Sequence, residues 1–265
     1  MTHLLLPQFT FLYTPSVTQC QVFTPAEIEL FRKSGAILRA CLDALAPKAV
    51  AGISTLELDQ FAEAFIRKRG GVPAFKGYKG YAHTLCTSVN DEVVHGIPGR
   101  RVLIDGDIVA LDCGVAFEGI ITDACVSVGV GQITPQASKL LSVTKSALAA
   151  GVAAVRGGSR VGDISSAVQG VVEAGGFRCV SALTGHGLGY TVHQFPDVPN
   201  IGKAGTGPTL PVGTAIAIEP IVTAGKSIEI TQADDGWTLS MADGALSAHF
   251  EHTVVVTERG CEVVA

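Results

Sequence analysis

The sequence predicts an α+β domain assembled from two similar halves, with antiparallel strands covered by helices. Three observations carry that expectation. A plan of helix, helix, Gly-Gly and strands runs twice along the 265 residues. The strand signals are separated by Pro, Gly and Asp clusters, the pattern of antiparallel hairpins. Carboxylates, which are depleted in strands and seldom buried alone, stand inside several of those apolar strand signals. Residue identity between the two halves is slight, so the plan rather than the residues carries the repeat. Two packed α+β halves place a site where they meet.

The first helix opens at Thr24-Pro25-Ala26-Glu27. Thr24 can cap it, Pro25 suits the first turn, and Glu27 stands at the capping-box position. Ile28, Phe31, Gly35, Leu38 and Leu42 then follow helical spacing. A second helix is expected over Leu56 to Arg69, with Leu58, Phe61, Ala62, Phe65 and Ile66 on one face and Gly70-Gly71 ending it. Thr134-Pro135 opens a third helix carrying Leu140, Leu141 and Val143. A fourth, Val161 to Glu173, shows Ile164, Ala167, Val168, Val171 and Val172 and stops at Gly175-Gly176. Strands are expected at Leu85 to Val94, Ile108 to Val115, Ile120 to Val130, Ala215 to Val222, Trp237 to Met241 and Phe250 to Thr257.

Composition narrows the function classes. Hydrophobic residues make up 47% of the chain, enough for a large core, and a net charge of −5 lacks the basic face of a nucleic-acid binder. The seven cysteines form no CxxC pair, which fits reduced, mostly buried thiols in a cytosol. Leu4 to Leu6 are apolar but follow no basic segment, and no stretch reaches the roughly 18 apolar residues of a membrane span. A cytoplasmic globular protein is expected.

Five residues then invite a metal reading: Asp112, Asp123, His186, Glu219 and Glu251. Glu118-Gly119 reads as a hairpin tip, and folding near Phe117 and Glu118 brings Asp112 close to a position opposite Asp123. Directly opposed like charges destabilise a sheet, and burial makes it worse. A cation between them reverses the sign. His186 and His193 are an odd separation apart, so one regular strand would turn their rings to opposite sides. Gly185, Gly187 and Gly189 permit a bend that brings both to one cavity. Glu219 ends an apolar strand stopped by Pro220, Glu251 shares a face with His249 and Thr253, and His95 ends a strand before a turn. Each taken singly also reads as a surface carboxylate or a hydrogen-bonded core histidine.

Taken together the segments resemble the type I methionine aminopeptidases of the pita-bread metallohydrolase family. The motifs are Ser88-Val-Asn-Asp-Glu-Val-Val-His-Gly-Ile-Pro98, the Asp112/Asp123 hairpin, Gly185-His-Gly-Leu-Gly-Tyr-Thr-Val-His193, Ile218-Glu-Pro220 and Ser247-Ala-His-Phe-Glu-His-Thr253. They keep the family's order and spacing from about Thr24 to Val263. The resemblance implies a single catalytic pita-bread domain over 24–265, behind a short N-terminal extension over 1–23, whose pseudo-twofold halves account for the repeat. It also implies two divalent ions (Co, Mn, Fe or Zn), with Asp112 chelating one, His186 and Glu219 completing the first ion's shell, and Asp123 and Glu251 bridging. Hard oxygen ligands with one imidazole suit those metals. Glu219 would move the proton of the attacking water, and His95 and His193 would hold the scissile amide. Tyr78, Tyr81, Cys86 and Trp237 would surround a methionine side chain. A monovalent-cation site near Asn90 and Ser247 is implied as well.

The implied activity is removal of the initiator methionine from nascent polypeptide N-termini with a small second residue, by a monomer. Ribosome association fits the enzyme, although this acidic chain offers no basic tail for it. Val192 stands where bacterial members often have Phe, Phe75 where a smaller residue is common, and Gln194-Phe195-Pro196 replaces a frequent acidic pair. These changes fall on the pocket and its rim rather than on the metal set. The short stretch before Thr24 argues against aminopeptidase P and prolidase, and the short step from Glu219 to Glu251 argues against the type II enzymes. A peptide-binding module without catalysis is the competing reading, and the full ligand set weighs against it.

Overall fold

The computed structural model describes residues 19–265; the apolar Leu4 to Leu6 and most of the proposed extension lie outside the described residues. Helix α1 (Pro25–Leu45) starts on the expected capping box. The Thr24 amide donates to the Glu27 carboxylate at 2.7 Å, and the Glu27 amide donates to Thr24 Oγ1 at 3.3 Å. Helix α2 (Thr55–Lys68) begins one residue earlier than expected because Ser54 and Glu57 form the same box. Strands β1 (Val72–Pro73), β2 (Leu85–Val89), β3 (Glu92–Val94), β4 (Ile108–Phe117) and β5 (Ile120–Gly129) complete the first half. The second half opens with α3 (Pro135–Ala153), capped by Thr134, and α4 (Val161–Ala174). Ten short strands follow: β6 (Arg178–Cys179), β7 (Thr184–Gly187), β8 (Gln194–Pro199), β9 (Ala215–Ile218), β10 (Ile221–Thr223), β11 (Ile230–Gln232), β12 (Leu239–Met241), β13 (Ser247–His249), β14 (His252–Val256) and β15 (Cys261–Val263).

The repeated plan is visible in detail. Helices α2 and α4 both run into a glycine in the left-handed region, Gly70 at φ 80° and Gly176 at φ 81°, from which a strand departs. Each half also has its own apolar core. Leu38, Leu42, Leu58 and Ile66 of α1 and α2 pack on Leu111 and Val115 of β4. Leu140, Leu148, Ile164 and Val168 of α3 and α4 pack on Ile216 and Val254 of β9 and β14. Burying one such side chain contributes about 1.5–3 kcal/mol.

Every strand pairing is antiparallel, as expected. β4 pairs with β5 on one side and with β1 and β2 on the other, while the second half carries the row β15-β14-β9-β7-β8. Two smaller sheets, β13-β10-β6 and β11-β12-β3, lie between.

Several strand expectations need correction. Leu85 to Val94 is two strands, broken where Asn90 takes φ 62°. Ala215 to Val222 divides at Glu219-Pro220 between two different sheets, and the signal expected from Phe250 to Thr257 forms only β14, from His252, with β13 a separate strand ahead of Phe250. Trp237 stands outside β12 because its amide and that of Thr238 both turn to Asp235 Oδ1 at 2.8 Å. The hairpin turns on Glu118 (φ 47°) and Gly119 (φ 85°), two left-handed residues of a type I′ turn. That register sets Asp112 opposite Cys125 and Asp123 opposite Gly114, so the two carboxylates are diagonal neighbours on one face rather than opposed.

Gly35 shows how closely the C-terminal strand leans on α1. A Cβ there would lie 1.9 Å from the Val264 carbonyl oxygen. Gly35→Ala gains about 1 kcal/mol of helix propensity, but this overpacking against backbone costs more, up to about 3 kcal/mol. The expected outcome is a net loss of about 2 kcal/mol in thermal or denaturant unfolding, and a variant as stable as wild type would contradict the packing.

Candidate active site

Apart from Asn90 and Ser247, the site residues singled out from sequence line one cleft, together with Phe75, Lys79, Val94, Val192 and His249. Its floor is built by the backbone. Asp112 and Asp123 project from the β4–β5 hairpin, and Asp123 is pinned by Thr253 of β14. The Thr253 hydroxyl accepts from the Asp123 amide at 2.9 Å and donates to its carbonyl at 2.7 Å. Glu251 sits in the gap between β13 and β14, its amide donating to the Cys125 carbonyl at 3.0 Å. Glu219 sits where the chain leaves β9 for β10, with its carbonyl accepting from Asn200 Nδ2 at 2.9 Å.

His186 comes from β7, and the bend after it folds His193 back so that the two ring centroids are 4.1 Å apart. His186 Nδ1 donates to the Gly187 carbonyl at 2.9 Å, which leaves the Nε2 lone pair facing Glu219 Oε1 at 3.5 Å. His193 Nδ1 lies 3.2 Å from the Tyr78 hydroxyl. His95 holds a left-handed backbone at φ 59° just past β3, edge-on to Trp237 at 6.3 Å.

Beside these groups is an apolar wall. Phe75, Tyr81, Cys86 and Val192 are buried together, with Tyr78 and Trp237 packed against them. Tyr81 meets Trp237 edge-on at 5.0 Å and donates its hydroxyl to the Leu85 carbonyl at 2.7 Å. Phe75 has its place because Gly114 lacks a Cβ, which would stand 2.7 Å from the Phe75 ring. Two of the departures noted from sequence, Phe75 and Val192, therefore face the same small chamber.

The electrostatics call for a cation. Asp112 Oδ1, Asp123 Oδ1 and Glu251 Oε1 are buried with no hydrogen-bond donor, and ligand atoms of Asp123, His186 and Glu251 lie within 4.8 Å of one another. Burial pushes all three carboxyls above their usual range. For Asp123 the charges of Asp112 and Glu219 add to burial, and for Glu251 those of Asp123, Glu219 and Asp112 do. Oxygen-rich, charge-crowded and unsatisfied, the cluster fits a divalent ion. The histidines on the opposite side move the other way. Burial pulls His95 down to about 4 and His193 down to about 2, so both rings are neutral near pH 7.

His249 is the residue that sequence reasoning passed over as part of the site. It was placed on a face with Glu251 but given no role. Its Nε2 lies 3.4 Å from Glu219 Oε2 and 3.8 Å from Glu251 Oε2. The signal was its position two residues before a candidate ligand, across the break at Phe250 that the sequence does not reveal.

A candidate metal site between the two halves of an α+β frame suits a metallopeptidase. The model of metallopeptidase family M24 matches residues 29–258, and the chain belongs to that family. A methionine aminopeptidase from Clostridium perfringens is 47% identical over 90% of this chain and 95% of its own length. Methionine aminopeptidase 1 from Bacillus subtilis is 43% identical, covering 91% and 97%. The crystal structure of a methionine aminopeptidase from Thermotoga maritima superposes with a TM-score of 0.91 at 37% identity, over 93% of this chain and 99% of that one. No helix among the described residues is long and apolar enough to cross a membrane.

The Thr253 clamp is directly testable. Thr253→Val keeps the shape but leaves the buried amide and carbonyl of Asp123 without partners, at a cost of about 2 kcal/mol. The expected outcome is a melting temperature lower by on the order of 5 °C in calorimetry; no change would mean that these groups find other partners.

Proposed function

We propose that the protein removes the N-terminal methionine from nascent polypeptides whose second residue is small, using a divalent-metal centre. The observation that carries this reading is the juxtaposition in one cleft of donor-less buried carboxylates, two neutral histidines and an apolar aromatic pocket. The names of the most similar proteins support it. Asp112, Asp123, His186, Glu219 and Glu251 would hold two ions of the Co, Mn, Fe or Zn type. When bound, the ions lower the pKa of water and polarise the scissile carbonyl.

The remaining work falls to side chains. Glu219 accepts the proton of the attacking water and passes it to the leaving amine. His193 and His95, neutral because buried, each offer one N–H and one lone pair. They hold the scissile amide and donate toward the oxygen as charge develops on it. Tyr78, Tyr81, Cys86 and Trp237 enclose the methionine side chain, whose thioether packs well on aromatic edges. Crowding beside the carboxylates favours a small second residue. A monovalent cation near Asn90 and Ser247 belongs to the same reading, since the Asn90 carbonyl takes the Ser247 amide at 2.8 Å and keeps a second lone pair. The proposed setting is the cytoplasm, with the protein acting as a monomer on chains emerging from the ribosome.

Metal-loaded protein should cleave Met-Ala-Ser, lose that activity in EDTA and regain it with added Co²⁺ or Mn²⁺. An intact Met-Ala-Ser alongside a cleaved X-Pro peptide would overturn the substrate assignment. Glu219→Gln should lower kcat by about 10²–10⁴-fold while KM stays near wild type. Metal analysis of the variant separates loss of the base from loss of the ion.

A further inference from the structure

The anchoring of His249 is as deliberate as that of Asp123. Its amide donates to Ser127 Oγ of β5 at 3.0 Å, and Ser127 Oγ donates to its carbonyl at 2.7 Å. It is 2% exposed and pairs with Ile221, just beyond Glu219-Pro220. The ring is therefore fixed against Glu219 by backbone on two sides.

Glu219 stands between two imidazoles, one at each oxygen: His186 Nε2 is 3.5 Å from Oε1, and His249 Nε2 is 3.4 Å from Oε2. His186 cannot be the donor, because its proton is on Nδ1 and committed to the Gly187 carbonyl. That leaves His249 as the imidazole able to donate to Glu219. Its Nε2 has no hydrogen-bond partner at present geometry, and the facing Glu219 oxygen is the nearest acceptor.

We propose that His249 is a positioning residue of the metal site: its Nε2–H holds Glu219 Oε2, which turns Oε1 toward His186 and the cation. A carboxylate held at one oxygen cannot swing between ligand and free positions, so it both binds the ion and keeps one orientation for proton transfer. Partners of this kind contribute about 10–100-fold to metal affinity or activity. The inference rests on the metalloaminopeptidase reading above and deepens it.

The test compares full-length wild type, His249→Leu and His249→Gln, using Co²⁺ titration calorimetry, Co²⁺ absorption spectra and Met-Ala-Ser kinetics. His249→Leu, which cannot donate, should weaken Co²⁺ binding by about 10–100-fold and lower kcat with KM little changed. His249→Gln, whose amide N–H reaches the same oxygen, should recover most of both. If the leucine variant fails to fold, His249→Asn, a donor too short to reach, takes its place. Wild-type behaviour of His249→Leu overturns the inference. So does equal impairment of the glutamine variant, or loss of a nitrogen ligand from its Co²⁺ spectrum. Failure of the underlying reading would instead appear in the wild type, as no Co²⁺ uptake or no cleavage.

Discussion

The site depends on one seam, where β5 of the first half meets residues 247–253 of the second. At its centre the Cys125 and Glu251 backbones exchange hydrogen bonds. On either side a hydroxyl makes paired bonds to the backbone across the seam, Thr253 to Asp123 and Ser127 to His249. The two larger apolar cores sit under their own helices, and a smaller one joins Phe31 and Ile120 of the first half to Ala217 and Val255 of the second. Strand pairing carried across this line therefore gives the ligands from the two halves a common frame.

That frame works against its own electrostatics. Two unit charges at the 4.8 Å limit spanning Asp123, His186 and Glu251 repel by roughly 3 kcal/mol at an effective dielectric near 20. A net hydrogen bond in the seam contributes only about 1 kcal/mol. The seam alone cannot hold several ionised carboxylates together. Without an ion, burial answers by raising the Asp112, Asp123 and Glu251 carboxyls toward their neutral forms. With one, the same crowding becomes attraction. The oxygens of Asp112, Asp123 and Glu251 that lack a donor are the ones an ion would satisfy.

Helices were legible in the sequence because their signals are local. Thr24, Thr134 and the Gly-Gly stops announce themselves within a turn of the residues they control. The Ser54-Thr-Leu-Glu57 box was equally readable and would have moved the start of α2 by one residue. Hairpin β4–β5 was legible as well, but its register turns on which two residues take positive φ, and a shift of two positions changes opposed charges into diagonal ones. Beyond Arg178, β9, β10, β12 and β14 fall within expected strand signals, whereas β6, β7, β8, β11, β13 and β15 were hidden. Runs of two to six residues, some rich in glycine, carry too little periodicity to distinguish strand from loop. His249 shares a face with Glu251 in the sequence pattern, but its approach to Glu219 was hidden because it depends on the pairing of β13 with β10.

The two sides of the cleft are tuned in opposite directions by the same cause. Burial disfavours any charged form, so it raises the carboxyls and lowers the His95 and His193 rings. A cation reverses the first effect at the floor, where its charge acts directly. Across the cleft its charge adds to burial and keeps the two rings neutral. Neutral imidazoles repel neither the ion nor an incoming ammonium terminus, and they still donate hydrogen bonds. His249 stands apart: burial opposes its charged form, but Glu219 and Asp112 outweigh that and raise its pKa. Its Nε2 faces Glu219 Oε2 at 3.4 Å, and a neutral ring carrying its proton on Nε2 is a sufficient donor to that oxygen.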